Sequence, residues 1–169
     1  MLALARADIF QARWSKTIHG EWQKNLLEAF PDKFDRQKIE DLRNLIDSTV
    51  PDCLIHNYEP LISGLILPDK DDRHVLAAAI KSGAQVIVTC NTDDFPKDYL
   101  AQFEIEAQHP DTFIMYQKEE NTVSVLARLK EARRTYKKPV LTPEEFMGRF
   151  RDNEMPRTAD WLESAISLL

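Results

Sequence analysis

Two acidic clusters lie close together in the stretch LPDKDDRHVLAAAIKSGAQVIVTCNTDDF, residues 67–95. The first cluster comes just before a helical pattern and consists of Asp69, Asp71 and Asp72. The second follows an apolar run and consists of Asn91, Asp93 and Asp94. Crowded carboxylates repel one another, which raises the pKa of at least one of them until a cation neutralises the group. The two clusters therefore indicate a site that is held together by a cation.

The elements around the clusters predict an α/β organisation. A helix is predicted to start at Asp71 or Asp72, to bury Leu76 and its apolar neighbours, and to stop at Gly83. The continuous apolar run QVIVTC is typical of a buried parallel strand, and FEIEAQ is a second strand candidate. Strands separated by helices indicate βαβ units, whose ligands bind at the carboxyl ends of the strands. Whether the two clusters meet depends on the connection between helix and strand.

The rest of the chain is predicted to be mostly helical. Residues 2–11 form one predicted helix, and a second runs from Ser15, a plausible N-cap, to Phe30. An apolar stripe recurs along the second helix at Trp14, Ile18, Trp22 and Leu26, and Glu21 borders it. A third helix is predicted from Asp35 to Ser48, the segment DCLIHNY is a weak strand candidate, and the chain is predicted to be helical from about Asp111 onward.

Composition sets limits on the class of protein. With 169 residues the chain suits a single domain, and 43% hydrophobic residues are ordinary for a globular protein. No apolar run of about 18 residues occurs, so we expect no membrane span and a cytoplasmic location. The net charge of −6 argues against a general nucleic-acid coat protein. Cys53 and Cys90 lie in apolar stretches and are expected to be buried thiols.

One basic segment and four histidines leave alternatives open. The segment RLKEARRTYKK, residues 128–138, is either a solvated helix face or a surface for phosphates or an acidic partner. The histidines show no zinc spacing. Of these, His74 could approach a phosphate, although packing or surface exposure is the simpler interpretation.

Three segments resemble the PIN-domain family of metal-dependent nucleases. They are WSKTIHGEW, YEPLISGLILPDKDDRHVLAAAIKSGAQVIVTCNTDDFP and IEAQHPDTFI, which together span about residues 10–115. More narrowly, the sequence resembles the VapC-like toxins of bacterial toxin–antitoxin pairs. The resemblance implies a helix-rich three-layer α/β/α fold with a short parallel sheet, as one PIN-like domain over residues 1–169 with a helical part from 116 to 169.

The resemblance also implies an active site and partners. Its catalytic residues correspond to Glu21, Asp72, Asn91 and Asp94, of which Glu21, Asp72 and Asp94 would bind Mg²⁺ or Mn²⁺. Thr89 matches a hydroxyl residue near the site, and Arg133 and Arg134 of the basic segment are candidate RNA or antitoxin contacts. An RNA substrate, a cognate antitoxin and a homodimer follow as expectations. Mg²⁺ suits this donor set because it prefers one or two carboxylates, waters and a substrate phosphate.

The resemblance is incomplete at the N-terminus. PIN domains begin with a central strand that carries an aspartate, whereas MLALARADIF reads as a helix. We therefore hypothesise an N-terminally truncated PIN protein in which metal binding and catalysis are weakened or absent. An inactive PIN-like interaction protein is the main alternative to a ribonuclease, because an incomplete sheet invites strand addition from another chain. A nuclease acting on DNA is a third interpretation.

Overall fold

The computed structural model describes the whole chain, from Met1 to Leu169. The four strands are β1 (Trp14–Ser15), β2 (Leu54–Ile55), β3 (Val86–Val88) and β4 (Glu106–Gln108). The helices are α1 (Leu2–Ala5), α2 (Lys16–Ala29), α3 (Arg36–Thr49), α4 (Glu59–Ile62), α5 (Arg73–Ser82), α6 (Lys97–Leu100), α7 (Pro110–Thr135), α8 (Pro143–Asp152) and α9 (Pro156–Ser164). Short 3₁₀ turns cover Thr92–Asp94, Ala101–Phe103 and Ile166–Leu168. The chain is therefore helix-rich, as predicted.

Cap residues define the ends of the predicted helices. Ser15 accepts a hydrogen bond from the Ile18 amide at the start of α2, and Asp35 accepts one from the Lys38 amide at the start of α3. Both are N-caps that satisfy a helix N–H group without an intrahelical partner. Gly83 ends α5 in the left-handed conformation, with φ of 66°. The predictions for α2, α3 and α5 are confirmed to within one or two residues.

The strands are short and form two separate pairs. β1 pairs with β2 in parallel, with Trp14 opposite Leu54 and Ser15 opposite Ile55. β3 pairs with β4, which lies beyond the Thr92–Asp94 turn and α6. The weak strand predicted in DCLIHNY is confirmed as β2, whereas β1 was not predicted. Two residues are too few to show the alternating pattern from which a strand is recognised.

The prediction of one helix over residues 2–11 is wrong, since α1 stops at Ala5. Asp8 takes the left-handed conformation with φ of 53°, and the Ile9 amide donates back to the Leu4 carbonyl. The Asp8 amide donates to the Ala5 carbonyl, so the turn has the two hydrogen bonds of a Schellman motif. Aspartate tolerates this conformation better than most residues, and it ends the helix here without a glycine.

By its contacts the chain divides into two compact units. The central unit comprises Gln11–Ile87 and Asn91–Ala107, and the terminal unit comprises Met1–Phe10, Val88–Cys90 and Gln108–Leu169. The core of the central unit includes Tyr58, Leu76, Phe95 and Leu100. The single domain over residues 1–169 stays a prediction.

The core of the terminal unit combines α1 with the C-terminal helices. Leu4 is fully buried and belongs to one apolar cluster with Ile114, Val125 and Leu162. The helical C-terminal part is confirmed, but α7 is broken at Asn121, whose φ of −153° and ψ of 74° are not helical. The Asn121 side chain accepts a hydrogen bond from the Ser124 amide, which caps the second half of α7.

Two sequence expectations concern exposure and membranes. Cys53 is buried as predicted, but the prediction that Cys90 is buried is wrong, because Cys90 is exposed. The reason is its position, since β3 ends at Val88 and Cys90 lies beyond the strand. No helix of the chain is both long enough and apolar enough to cross a membrane.

Candidate active site

Asp72 stands at the N-terminus of α5 but does not cap it with its side chain. The Asp72 carbonyl accepts hydrogen bonds from the Val75 and Leu76 amides, while its carboxylate accepts none from the helix. The neighbouring Asp69 carboxylate instead accepts a hydrogen bond from the Asp71 amide at 2.8 Å, which organises the preceding turn. Helix capping therefore does not explain the Asp72 carboxylate, which is available to a ligand.

The pKa of the Asp72 carboxyl is raised above its ordinary value. Partial burial is the largest cause, because it disfavours the charged form. The negative charges of Asp69, Asp94 and Glu21 follow in that order, while His74 acts in the opposite direction. Side chains from α2, from the turn before α5 and from the turn after β3 thus act on one carboxyl group. A bound cation would relieve this repulsion.

Asn91 and Asp94 lie on a single turn that follows β3. The Asp94 amide donates to the Asn91 carbonyl at 3.2 Å, and the Phe95 amide donates to the Thr92 carbonyl. Phe95 is buried in the core of the central unit, which anchors the turn. The turn thus carries two groups of the predicted site, the side-chain amide of Asn91 and the carboxylate of Asp94, on a fixed backbone.

Glu21 lies on α2 and contacts a histidine from α5. Its Oε1 atom is 2.8 Å from Nε2 of His74, although the two residues are 53 positions apart. The Glu21 side chain is 49% exposed, and that of His74 is 9% exposed. The Glu21 carboxylate therefore reaches the helix that begins after Asp72.

A second histidine, His19, links the buried side of α2 to neighbouring elements. His19 is 2% exposed, and its Nδ1 accepts a hydrogen bond from the Trp22 indole at 2.9 Å. Because an indole N–H only donates, Nδ1 is unprotonated, and Nε2–H must donate to Oδ1 of Asp47 at 2.9 Å. The Trp14 indole donates to the same Asp47 oxygen at 3.3 Å. This network joins α2, α3 and β1 in the central unit.

The three predicted substrate-binding residues all belong to the terminal unit. The Thr89 amide donates to the Gln108 carbonyl, which continues the pairing of β3 and β4. Arg133 is half-buried and donates to the carbonyls of Leu141 and Leu169 at 2.6 and 3.1 Å. Arg134 is exposed. Their role towards a substrate stays a prediction, and the guanidinium of Arg133 also has a structural role.

The donor chemistry fits a hard divalent cation, although the side chains are not gathered into a ready-made chelate. Carboxylates are the protein ligands that Mg²⁺ and Mn²⁺ prefer, and here their mutual repulsion raises one pKa. No group of three or more His, Cys, Asp or Glu side chains lies close enough together to hold a metal ion. An ion bound here would keep several waters, as Mg²⁺ commonly does.

Two features of the site were missed by sequence reasoning. The contact of His74 with Glu21 joins residues 53 positions apart, and the Asp47 network joins His19 to a residue 28 positions away. For His74 the only sequence signal was its position two residues after Asp72. Nothing in the sequence of α3, a helix of mixed polarity, distinguishes Asp47. Long-range pairs of this kind require knowledge of the tertiary fold.

Comparison with known proteins identifies the class of protein. A family model described as the PIN domain matches residues 1–93, which is more than half of the chain, and the chain belongs to this family. The helix-rich α/β fold with short parallel strands is the one that the family predicts. A second family model, described as the VapC50 C-terminal domain, matches residues 110–164.

The chain is also similar to one particular protein. It is 43% identical over 93 residues to a protein of Mycobacterium tuberculosis named "Putative ribonuclease VapC50". The match covers 53% of this chain and 53% of that protein, so the chain spans about half the length of the relative. No solved structure matches the chain. The resemblance to VapC-like PIN proteins is confirmed.

Proposed function

We propose that the chain is a metal-dependent endoribonuclease of PIN type and the toxin component of a toxin–antitoxin pair. The observation that carries the proposal is the Asp72 carboxyl, which caps no helix and whose pKa the charges of Asp94 and Glu21 help to raise. Carboxyls whose pKa is shifted by burial and by specific charged neighbours cluster at functional sites. The family match and the similarity to a protein named as a ribonuclease support the same activity.

Four residues carry the proposed chemistry. Glu21, Asp72 and Asp94 would hold Mg²⁺ or Mn²⁺, and Asn91 would align the attacking water and the phosphate beside them. When bound, the cation lowers the pKa of the attacking water and stabilises negative charge on the phosphate. The protein supplies the orientation, because the turn after β3 and the start of α5 fix the backbone of three of these residues.

We propose an RNA contact outside the acidic site. Arg134 is exposed at the end of α7 and is suited to contact a phosphate directly. Arg133 contributes positive charge while its guanidinium holds two carbonyls, and the Thr89 hydroxyl is proposed to lie near the substrate. Local positive charge is needed because the chain as a whole carries −6.

We also propose a cognate antitoxin and a homodimer, both of which follow from membership of the VapC-like group. Action on cellular RNA implies a cytoplasmic location. The two compact units are proposed to work as one functional domain over residues 1–169.

Cleavage of a labelled single-stranded RNA by the purified chain tests the proposal. We expect cleavage with Mn²⁺ or Mg²⁺, none with EDTA, and a loss of at least about 100-fold in Asp72→Asn and Asp94→Asn. Asp71→Asn and Asp98→Asn are matched controls, because both aspartates are exposed, and they should retain full activity. A DNA oligonucleotide of the same sequence tests the third interpretation. Equal loss in the control variants, or cleavage that persists in EDTA, would overturn the proposal.

A catalytically inactive interaction protein is the second candidate. Two observations favour it, namely the absence of a ready-made metal-binding group and the division of the strands into two separate pairs. An exposed sheet edge can accept a strand from another chain. Mn²⁺-dependent cleavage that is lost in Asp72→Asn would exclude this candidate. A stable complex with a partner chain, together with no Mn²⁺ binding, would favour it.

A further inference from the structure

His74 is a buried residue with one polar contact. It is 7% exposed on α5, two residues after Asp72, and its Nε2 atom lies 2.8 Å from Oε1 of Glu21. An ionised carboxylate can only accept hydrogen bonds, so the imidazole must carry its proton on Nε2 and donate it to Glu21. The tautomer of His74 is thereby fixed by its contact with Glu21.

The other ring nitrogen of His74 is left without a partner. Nδ1 is buried and makes no hydrogen bond. Burying an unpartnered nitrogen is unfavourable, and an apolar side chain of similar size would avoid that penalty. Core packing alone therefore does not account for a histidine at this position. Its one satisfied polar atom is directed at Glu21.

Glu21 needs such a partner because its own helix does not fix its carboxylate. The backbone of α2 is held by the Ser15 cap and by the bond of Trp22 to His19. The Glu21 side chain extends beyond these contacts and is half exposed. An exposed glutamate has several rotamers, and each rotamer places its oxygens differently. The hydrogen bond from His74 selects one of them.

We propose that His74 is a positioning residue for the divalent cation site, which acts by holding Oε1 of Glu21 and so keeping the Glu21 carboxylate in one orientation. The inference rests on the metal site of the proposed function, and it does not depend on the substrate being RNA. Partners that orient a metal-binding side chain typically change metal affinity by about 10–100-fold when they are removed. The same range is expected for the loss of the His74 hydrogen bond.

Calorimetric titration of Mn²⁺ into the full chain tests the proposal. We expect His74→Leu to weaken Mn²⁺ binding by about 10–100-fold and His74→Gln, which keeps a side-chain N–H donor, to stay within a few-fold of wild type. Glu21→Gln should weaken binding, and adding His74→Leu to it should cause little further loss. His56→Leu is the matched control, since His56 is exposed in the same unit. Wild-type affinity in a folded His74→Leu would overturn the proposal.

A second measurement does not require any buried residue to be replaced. In ¹⁵N NMR spectra of the metal-free chain, the Nε2–H signal of His74 should be protected from solvent exchange in the wild type and lost in Glu21→Ala. Glu21 is half exposed, so this variant should fold. An unchanged signal would overturn the proposal even if His74→Leu does not fold.

The outcomes separate this proposal from the proposed function. Mn²⁺ binding that depends on His74, without RNA cleavage, would support the positioning role and overturn the ribonuclease activity. Cleavage and Mn²⁺ binding that are both unaffected in His74→Leu would overturn the positioning role and support the ribonuclease activity. Absence of Mn²⁺ binding by the wild-type chain would overturn both.

Discussion

The Oδ1 atom of Asp111 accepts two hydrogen bonds from Thr158, one from the amide at 2.7 Å and one from the hydroxyl at 2.6 Å. Its Oδ2 atom accepts a third from the Arg157 amide at 2.9 Å. These amides belong to the first turn of α9, whose own N-cap residue, Met155, provides no side-chain cap. A carboxylate at the start of α7 thus caps a helix 47 residues further along.

We predict that Asp111→Ala lowers the free energy of unfolding by about 3 kcal/mol, because it removes a cap and leaves buried donors without an acceptor. Asp111→Asn keeps one acceptor oxygen and should lose less. Urea denaturation followed by circular dichroism measures both. Asp152→Ala, which replaces an exposed aspartate of α8, should change stability little. Equal effects of Asp111→Ala and Asp152→Ala would contradict the capping role.

Asp72 is predicted to destabilise the metal-free fold at neutral pH. Its pKa is raised in the folded state, so the folded chain keeps the Asp72 proton to a higher pH than the unfolded chain does. Stability therefore falls as the pH rises from about the ordinary value of 3.8 through the raised pKa. In EDTA, Asp72→Asn should raise the melting temperature by a few degrees at pH 7 and by nothing once the pH is below 3.8. The Asp72 side chain does not cap α5, so the loss of a cap does not confuse the result.

The matched control for this prediction is Asp71→Asn, because Asp71 is exposed and is not among the charges that act on Asp72. It should leave the melting temperature nearly unchanged at both pH values. A gain from Asp72→Asn that is the same at pH 3 and at pH 7 would contradict the electrostatic cause.

The Asp47 network is predicted to stabilise the central unit. Asp47→Ala removes the acceptor of the His19 and Trp14 N–H groups and should cost about 2 kcal/mol. Asp47→Asn retains an acceptor oxygen and should recover much of that loss. Chemical denaturation followed by tryptophan fluorescence measures the change. Identical losses in the two variants would show that the negative charge, and not the acceptor, is what matters.

The two cysteines are predicted to react at very different rates. Cys90 is exposed, whereas Cys53 is 2% exposed and burial raises the pKa of its thiol, with the charge of Asp47 adding to the effect. Since the thiolate is the reactive form, a disulfide reagent at pH 8 should label one thiol quickly in the native protein and a second only after unfolding. Fast labelling of two thiols in the native state would refute the burial of Cys53.

Two glycine variants are predicted to act in opposite directions. Gly83→Ala forces a side chain into the left-handed conformation at the end of α5 and should destabilise the fold by about 1 kcal/mol. Gly20→Ala lies within α2, where an added Cβ meets nothing within 4 Å, and should stabilise by roughly 0.5–1 kcal/mol. Thermal unfolding of both variants in one buffer checks the signs, and equal signs would be inconsistent with the prediction.

The sequence predictions that were confirmed rest on local features of the sequence. Ser15, Asp35 and Gly83 mark helix ends by their own chemistry, and Asp72 stands at a helix start that its neighbours indicate. The failures have physical causes. α1 stops at Ala5 because the turn after it closes at Asp8 in the left-handed conformation, which is uncommon outside glycine.

The contacts that no local pattern predicts are the long-range ones. The hydrogen bonds of His74 with Glu21 and of Asp111 with Thr158 join residues about 50 positions apart, and such partners are set by tertiary packing. The break of α7 at Asn121 is of another kind, because Thr122 and Val123 that follow it are poorer helix formers than the Glu119 and Glu120 that precede it. The acidic residues of the candidate site were visible in the sequence, whereas the groups that orient them were not.

The composition of the terminal unit has a consequence for synthesis on the ribosome. Leu4 reaches its buried position in a cluster with much later residues, and α1 packs mainly on α7. At about 5–20 residues per second, the segment MLALARADIF must wait roughly 6–25 seconds for the residues of α7 to emerge. The residues of the central unit are complete earlier, at residue 107. This apolar segment thus stays unburied for a longer time than the core of the central unit, which makes it a point at which chaperones or proteases compete with folding.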